Sequence, residues 1–441
     1  MKRILFVVIG LFCGILLFTA SSCKGDSSSD DNGGGTNPST ESGPGTAYIG
    51  EVLPPWEAGW LDIHAINTGR GESMFYIFPD GTTMLVDAAG SLLVTNETSM
   101  PVDPKPNANV TSGQVIADYI NHFIPSVDKG RLNYIVLTHY HSDHMGSYST
   151  SVPKNTEGNF YINGITEVGS DIPFDKMIVR GDPSLVVSKD MVEQTAVTNF
   201  NTFMTWAKTK FGATQEDMIV GSNEQIALKI SPSSYNNFSV RNIAANGYVW
   251  TGTGLESTTA IPSKSVLDAG GDAAAYPYEN ILSCVMDITY GKFNMFAGAD
   301  IQYTGMSTYP YMDIETPISK VVGPVDVMKA CHHGTSNTNS ATLLGVLKPK
   351  VIVTNVWRDV QPNAATLGRM YAASPTAKIY TTNLATSNQT NISAYLSSLV
   401  STQGHVVIRV APGGLKYYIF VLNDNNELYK IKSKNGPYLS E

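Results

Sequence analysis

The stretch at residues 133–147, NYIVLTHYHSDHMGS, decides how the rest of the chain is interpreted. It begins with a short apolar run, residues 134–137, and then changes abruptly to a polar cluster that contains His139, His141, Asp143 and His144. A short apolar run that is rich in β-branched residues and ends in this way predicts a buried strand. The polar cluster would then lie at the C-terminal end of that strand.

The residue types in this cluster are those of a metal site. Imidazole nitrogens and carboxylate oxygens suit Zn²⁺ and other first-row metal ions. His139 and His141 are two residues apart, so in an extended segment they point the same way and can bind one ion. Asp143 and His144 fall on the turn into a helix and can serve a second ion. The alternative is a histidine-rich loop without metal, but the preceding strand and Gly146 favour a metal site.

The pattern His139-Tyr-His141-Ser-Asp143-His144 resembles the HxHxDH signature of the metallo-β-lactamase superfamily. Two further segments resemble the hydrolase domain of the ComEC/Rec2 competence proteins and related phosphodiesterases. They are INTGRGES with the later FPDGTTMLVDAAG, and VDVMKACHHGTS. The resemblance covers about residues 60–90, 130–147 and 279–410. It implies an α/β fold, a four-layer αβ/βα sandwich, over residues 48–425, with an insertion at 151–278 and a tail at 426–441.

The resemblance also implies a binuclear site, with two Zn²⁺ ions, or Mn²⁺ or iron in their place. The implied metal ligands are His139, His141, Asp143, His144, Asp300 and His333. Asp300 would bridge both ions, although Ala299 departs from the family's Gly-Asp ending and Asp300 could instead cap a helix. Asp87 matches the aspartate that orients a ligand, and its alternative role is to cap a turn.

Several residues are expected on the substrate side of this site. His333 is favoured as the ligand, with little in the sequence to separate it from His332, which would face the substrate as an acid or a phosphate contact. Asp143 and His332 are therefore the catalytic candidates. Thr335, Ser336 and Asn280 are candidate substrate contacts. Where relatives often have His-Pro, this chain has Gln361-Pro362, which would change one substrate contact.

One expected ligand is missing. Many superfamily members supply a third histidine to the first ion from the region after HxHxDH, but residues 149–278 contain no histidine. Either a carboxylate such as Asp175 or Asp182 substitutes, or water does, or only one ion binds tightly. Cys331 is adjacent to the second histidine pair, and packing is the favoured role over metal binding.

The N-terminus predicts export. Lys2 and Arg3 precede an apolar run and then Ala-Ser-Ser-Cys23, so residues 1–22 have the pattern of a secretory signal. This ending resembles a bacterial lipobox, which would make Cys23 the lipidated residue of a cell-envelope lipoprotein, in the outer membrane or at the cell surface. A plain cleaved signal or an uncleaved anchor helix is the alternative. Residues 23–47, rich in Gly, Ser, Asp and Asn, predict a flexible tether, so the membrane is a partner through the lipid anchor only.

The remaining elements follow from local patterns. Strands are predicted at 61–66, 73–78, 82–86, 225–230, 239–250, 350–354, 378–381, 406–410 and 417–422, helices around 115–123, at 191–211 and at 364–373, and a loop at 257–277. His64, His122 and His405 stand apart from the ligand segments and are interpreted as structural.

These features favour a metal-dependent hydrolase that uses a metal-bound hydroxide, and the resemblance favours phosphodiesters such as nucleic acid or phosphorylated head groups. A β-lactam or lactone substrate is the alternative within this class. A non-catalytic surface binding protein on a degenerate hydrolase scaffold is the alternative outside it. The net charge is −9, from 29 basic and 38 acidic residues. A protein that binds the negatively charged phosphate backbone of nucleic acid has an excess of basic residues, which this chain does not have. The oligomeric state is open.

Overall fold

Two mixed β-sheets packed face to face form the centre of the protein. The computed structural model describes residues 45, 47–92, 99–128, 130–184, 186–190, 194–303 and 308–441, and residues Ser42–Glu441 form one compact unit. The strands are β1 (Leu61–Ala65), β2 (Met74–Ile77), β3 (Thr83–Val86), β4 (Leu132–Leu137), β5 (Lys154–Asn155), β6 (Phe160–Tyr161), β7 (Phe174–Val179), β8 (Thr214–Asp217), β9 (Phe238–Ala245), β10 (Tyr248–Trp250), β11 (Ser257–Thr258), β12 (Val285–Tyr290), β13 (Phe293–Ala297), β14 (Val327–Lys329), β15 (Val351–Thr354), β16 (Lys378–Thr381), β17 (Leu399–Ser401), β18 (His405–Val410), β19 (Lys416–Leu422) and β20 (Ile431–Leu439). The helices are α1 (Ser112–Phe123), α2 (Ser142–Met145), α3 (Ile165–Asp171), α4 (Gln194–Phe211), α5 (Lys264–Gly270), α6 (Glu315–Ile318), α7 (Ala341–Leu347), α8 (Ala364–Ala373), α9 (Thr386–Asn391) and α10 (Ser393–Leu396).

Each large sheet combines antiparallel and parallel strands. The first has the order β20-β19-β18-β1-β2-β3-β4-β7-β8, and the second has the order β11-β10-β9-β12-β13-β14-β15-β16-β17. Strands β3, β4, β7 and β8 are parallel, as are β13 to β17, while the other pairs are antiparallel. The parallel strands therefore deliver their C-terminal ends to a common edge of each sheet.

Three hydrophobic cores separate four layers. One core lies between the sheets and joins Ile63 and Met84 of the first to Ile288 and Met295 of the second. A second core packs the outer face of the first sheet against helices α1, α3 and α4, and a third packs the outer face of the second sheet against α7 and α8. The predicted four-layer αβ/βα sandwich is confirmed.

Strand β4 shows why residues 134–137 are apolar at every position. Ile135 and Leu137 face the core under the helices, while Tyr134 and Val136 face the core between the sheets. A parallel strand covered on both faces needs apolar side chains at successive positions rather than at alternate ones. The sequence 132–137, LNYIVL, is buried at every position.

The predicted strand at 225–230 is wrong. Its backbone amides are satisfied by side chains: Ala227 N–H donates to Tyr134 Oη at 3.1 Å, Lys229 N–H to Thr82 Oγ1 at 2.7 Å, and Ile230 N–H to Asp80 Oδ2 at 2.9 Å. Because side chains replace a strand ladder here, an apolar pattern alone could not reveal the difference.

Three further boundaries differ from the sequence predictions. Residues 151–278 are integral to the fold, because they supply β7 and β8 to the first sheet and β9 to β11 to the second. The predicted loop at 257–277 contains the short strand β11 and helix α5. The predicted tail at 426–441 contains β20, which pairs antiparallel with β19 at the sheet edge.

Four predictions fall on residues outside those described: the signal at 1–22, the lipidation site Cys23, the tether up to residue 44 and the first three residues of the helix 191–211. Within the part of the chain that the structure covers, no helix is both long and apolar enough to cross a membrane.

Candidate metal centre

The ends of four parallel strands bring together residues that are far apart in sequence. Asp87 follows β3, His139 follows β4, Asp300 follows β13, and His332 and His333 follow β14. Together with His141, Asp143 and His144 on the turn into α2, these residues form a cluster that we call the strand-end site. The sheets thus place ligand-type side chains of both halves of the chain at one edge, as expected for the carboxyl ends of parallel strands.

Three imidazoles of the strand-end site have their Nδ1 atoms held by neighbours. His144 Nδ1 lies 2.7 Å from Asp87 Oδ2, and His333 Nδ1 lies 2.7 Å from the carbonyl oxygen of Asn355. His139 Nδ1 lies 3.0 Å from Thr138 Oγ1. When Nδ1 carries the proton in such a contact, Nε2 keeps its lone pair for a metal ion.

One ring nitrogen of His139 and one of His141 point toward each other, and either could bind a metal ion. His139 Nε2 lies 3.1 Å from His141 Nδ1. In His141 it is Nε2 that is held, 3.0 Å from the carbonyl oxygen of Asp190. A tetrahedral ion with bonds of 2.0–2.1 Å separates its ligand atoms by about 3.3 Å. The spacing of this pair therefore fits one ion.

A second set of ligand atoms surrounds Asp300. Its Oδ2 atom lies 3.0 Å from His144 Nε2 and 3.3 Å from His333 Nε2. Asp143 Oδ2 lies 3.1 Å from His333 Nε2. These separations also match a tetrahedral arrangement. Moreover, Glu72, His144, Asp300 and His333 are all buried, and each offers an atom within 4.8 Å of the others, so this group could hold a metal ion.

The charges of the site support the same conclusion. Four carboxylates, those of Glu72, Asp87, Asp143 and Asp300, are set against the single ammonium of Lys329, which contacts Glu72 and lies 3.3 Å from Asp300 Oδ1. With neutral imidazoles, three negative charges stay uncompensated in a buried place. Buried carboxylates require a cation or strong hydrogen bonds. The residues present therefore fit one or two divalent ions.

The pKa values of the histidines and of Asp143 also show that the site favours positive charge. Burial opposes protonation of His333, but Asp300 and Asp143 outweigh it and raise its pKa to about 9. In His144 burial is likewise outweighed by Asp300 and Asp87, and the pKa lies well above its usual value. Burial favours the neutral form of Asp143, yet His144 and His333 hold its pKa well below normal. The site therefore favours a positive charge, which a proton or a metal ion can supply.

Backbone strain is concentrated at the same place. Asp87, Ala299, His332 and His333 have positive φ angles of 60°, 46°, 45° and 54°. Left-handed conformations are costly for residues with side chains, and they cluster at functional sites. The departure at Ala299 leaves Asp300 within the site, since the Ala299 carbonyl accepts hydrogen bonds from Lys329 Nζ and from the amide of His332.

The predicted substrate contacts differ in how far they are exposed to solvent. Asn280 is buried beside His332, with its Nδ2 atom 3.2 Å from His332 Nδ1. Thr335 is half-buried and Ser336 is exposed, both just after the histidine pair. Gln361 is buried, and its side-chain oxygen accepts a hydrogen bond from the amide of Trp357. It therefore supports a loop rather than facing the substrate.

The structure also shows where the proposed substitutes for the missing ligand, Asp175 and Asp182, and the cysteine Cys331 lie. Asp175 pairs with Arg131 at 2.7 Å, and Asp182 accepts a hydrogen bond from the amide of Ser184. Both carboxylates are thus engaged elsewhere, and their substitution for the missing histidine is not supported. Cys331 is fully buried in the core between the second sheet and its helices, as the packing interpretation predicts.

Sequence reasoning missed four residues around the site. Glu72 and Lys329 form a buried ion pair beside Asp300, Trp357 Nε1–H donates to Asp143 Oδ2 at 3.2 Å, and Asp190 contacts His141. A charged residue at the end of an apolar strand was the signal for Lys329, and one between a glycine turn and a strand was the signal for Glu72. Trp357 and Asp190 have no such signal, because only tertiary structure brings them to the site.

Comparison with known proteins adds little. No family model matches the chain, and no curated protein matches it. Among solved structures, a protein named Putative metal-dependent hydrolase from Parabacteroides distasonis ATCC 8503 aligns with 11% identity and a TM-score of 0.32, over 74% of this chain and 94% of that chain. A TM-score this low carries no argument about structure or role, so the site is interpreted from its own geometry.

Proposed function

We propose that this chain is a metal-dependent hydrolase that acts on phosphodiesters. The observation that carries the proposal is the arrangement of ring nitrogens: three imidazoles are fixed by outer partners so that their remaining nitrogens face carboxylate oxygens or another imidazole at about 3 Å. When Nδ1 carries the proton toward its outer partner, each of these nitrogens keeps a lone pair for a metal ion.

Two divalent ions bound at such a site would supply a nucleophile at neutral pH and stabilise the negative charge that develops on the substrate. The residues of the chain would hold and orient them. Asp87 fixes the ring of His144, and the Trp357 indole fixes one oxygen of Asp143. His332, whose side chain is 23% exposed, lies on the open side of the site, where the substrate would approach.

The substrate class rests on the resemblance of the segments around Asp87, His139 and His332 to ComEC-type hydrolases and related phosphodiesterases. Nucleic acid and phosphorylated head groups are the two forms in which a phosphodiester would be presented. β-Lactams and lactones are the competing substrates of the same chemistry.

The test combines metal content with hydrolysis of bis(p-nitrophenyl) phosphate by the wild-type protein, by His141→Ala and by the matched control His122→Ala, which changes an exposed histidine on α1. We expect about two ions per chain and turnover that is lost in His141→Ala but kept in His122→Ala. Metal without phosphodiester turnover would direct attention to lactams and lactones. A protein with neither would be the binding scaffold, and the proposal would be wrong.

We also propose that the protein is an exported lipoprotein anchored through Cys23. The support is the sequence of residues 1–23 alone. Membrane fractionation of cells that express the wild-type protein and Cys23→Ala tests this point. Recovery of both in the membrane fraction would contradict a lipid anchor.

A further inference from the structure

A buried ion pair contacts the segment that carries His139 and His141. Arg180 directly follows strand β7 of the first sheet, and Glu279 precedes strand β12 of the second sheet. Both side chains are fully buried. The guanidinium binds the carboxylate with two hydrogen bonds: Arg180 Nε lies 2.6 Å from Glu279 Oε1, and Nη2 lies 2.9 Å from Oε2. Such a two-fold contact fixes the orientation of the carboxylate.

Both members of the pair hold Tyr140, the residue between the two histidines. The backbone amide of Tyr140 donates a hydrogen bond to Glu279 Oε1 at 2.9 Å. Its ring packs on the guanidinium of Arg180, whose central carbon lies 5.0 Å from the ring centroid. Its hydroxyl group donates a hydrogen bond to the carbonyl oxygen of Gly181 at 3.2 Å. Because Tyr140 is held at its backbone and at its ring, the direction of the chain into the second histidine is fixed as well.

Glu279 also reaches His141 by a second route. The backbone amide of Glu279 donates a hydrogen bond to Asp190 Oδ1 at 2.7 Å, and Ser188 Oγ donates one to Glu279 Oε2 at 2.5 Å. The carbonyl oxygen of Asp190 lies 3.0 Å from His141 Nε2. The same glutamate therefore fixes residues 188–190, and these residues fix the ring of His141 from its outer side.

The charge of this pair is not explained by stability. Burial raises the pKa of Glu279, but the charge of Arg180 and the hydrogen bonds from Arg180 and Ser188 outweigh it, so the pKa lies below its usual value. A buried ion pair can often be replaced by apolar side chains without loss of stability. A carboxylate is needed, however, where one side chain has to accept several hydrogen bonds in fixed directions.

We propose that Glu279 is a positioning residue of the metal centre: oriented by Arg180, it fixes the backbone before His141 through Tyr140 and the ring of His141 through Asp190. Glu279 acts through this histidine and is not itself a ligand. The inference rests on the proposed metal-dependent function. It extends that function by naming a residue outside the expected ligands that controls the affinity for metal.

The experiment is a double-mutant cycle on Co²⁺ affinity in the full chain, measured by competition with a chromogenic chelator. The variants are Glu279→Gln, His141→Ala and the two together. The matched control is Glu167→Gln, the same substitution at a half-buried glutamate that accepts a hydrogen bond from Thr111.

We expect Glu279→Gln to weaken Co²⁺ binding about 10–100-fold, the usual effect of losing a residue that orients a ligand. Glu167→Gln should keep the wild-type affinity. In the His141→Ala background, Glu279→Gln should have no further effect, because the side chain through which it acts is gone.

A second variant covers the case in which Glu279→Gln does not fold, which circular dichroism of the metal-free protein shows. Asp190→Ala removes the acceptor of the Glu279 amide, and the Asp190 side chain is 37% exposed, so the chain should fold. This variant should weaken Co²⁺ binding in the wild-type background and have no further effect together with His141→Ala.

Other outcomes separate the roles. Wild-type affinity in folded Glu279→Gln, or equal losses with and without His141, would overturn the inference, because the ion pair would then serve the fold alone. If such a result came with phosphodiester turnover by the wild type, only the positioning role would be refuted. A wild type that binds Co²⁺ and shows the expected cycle but hydrolyses no phosphodiester would refute the proposed function and leave the positioning role standing.

Discussion

Among the residues that the structure describes, two clusters bury histidine and aspartate together. One is the strand-end site, and the other lies under helix α1 and consists of Asp62, His64, Tyr119, His405 and Arg409, which we call the helix-side cluster. In the helix-side cluster the single carboxylate is neutralised by Arg409, with Nε and Nη2 2.9 and 2.6 Å from the two oxygens of Asp62. His64 Nδ1 lies 2.9 Å from Tyr119 Oη.

The two clusters differ in the balance of charges and in the partners of the histidine nitrogens. In the helix-side cluster the one carboxylate, Asp62, is paired with the cation Arg409, and His405 Nδ1 accepts a hydrogen bond from the backbone amide of Asn67. In the strand-end site carboxylates outnumber cations, and the ring nitrogens face other ligands. Burial of histidine with aspartate therefore does not by itself indicate a metal centre, whereas an unbalanced charge with inward-facing nitrogens does.

The largest expected effect is on turnover. Asp300→Asn removes a carboxylate that faces His144 and His333. Because a bound metal contributes several kcal/mol to catalysis, we expect hydrolysis to fall about ten-thousandfold. Steady-state kinetics measure this loss. Wild-type turnover in this variant would contradict the role of Asp300.

The helix-side cluster should respond in the opposite way. Asp62→Asn takes away the carboxylate that neutralises buried Arg409, and breaking such a pair lowers the free energy of unfolding by about 3–5 kcal/mol. Metal content per folded molecule should not change. Urea denaturation and metal analysis test both statements, and a loss of metal without a loss of stability would show that the two clusters are not distinct.

The outer partners of the ligands should have a smaller effect. Asp87 Oδ2 contacts His144 Nδ1, and Asp87 Oδ1 accepts a hydrogen bond from the amide of Thr138. Asp87→Asn keeps the size of the side chain but removes its charge, so we expect metal affinity to fall about 10–100-fold. Competition with a chromogenic chelator measures the change. An unchanged affinity would mean that Asp87 only supports the turn after β3.

A further effect concerns acid stability and develops only as the pH falls. Burial lowers the pKa of His405 to about 3, and the neighbouring His64 and Lys432 act in the same direction. The unfolded chain, with a pKa of about 6.5, takes up the proton first as the pH falls. The stability that depends on neutral His405 is intact above about pH 6.5 and is lost between about pH 6.5 and 3, by about 1.4 kcal/mol per pH unit.

His405→Gln removes this titration, so its free energy of unfolding should depend less steeply on pH than that of the wild type between pH 6.5 and 4.5. Urea denaturation at several pH values gives the two slopes. Equal slopes would show that His405 does not contribute to the acid sensitivity of the helix-side cluster.

Much of this architecture could be predicted from sequence. The apolar run 134–137 predicts a buried strand, and helix α8 and strand β16 lie where the local patterns place them. The histidine and aspartate segments could be recognised because each follows such a strand. What local pattern could not show is how the backbone of 225–230 is satisfied, since side chains distant in sequence bind it.

The site itself was only partly predictable for the same reason. Ligand types and spacing are local features, so they predict His139 and His333 as ligands, but Trp357 and Asp190 reach the site only through the packing of loops. Whether a residue such as His332 faces a substrate or an ion depends on a few ångströms of tertiary geometry that spacing does not encode.

The pairing of strand β1 has a consequence for how the chain must fold. β1 is hydrogen-bonded to β2 on one side and to β18 on the other, where Leu61 is paired with Val410 and Ala65 with Val406. The first sheet therefore stays incomplete until β18 has been synthesised, and contacts so distant in sequence form slowly. Until then β1 presents an unpaired edge, which is a template for association with other chains. Chains that end before β18 should consequently aggregate, and the N-terminal half cannot persist as a separate folded unit.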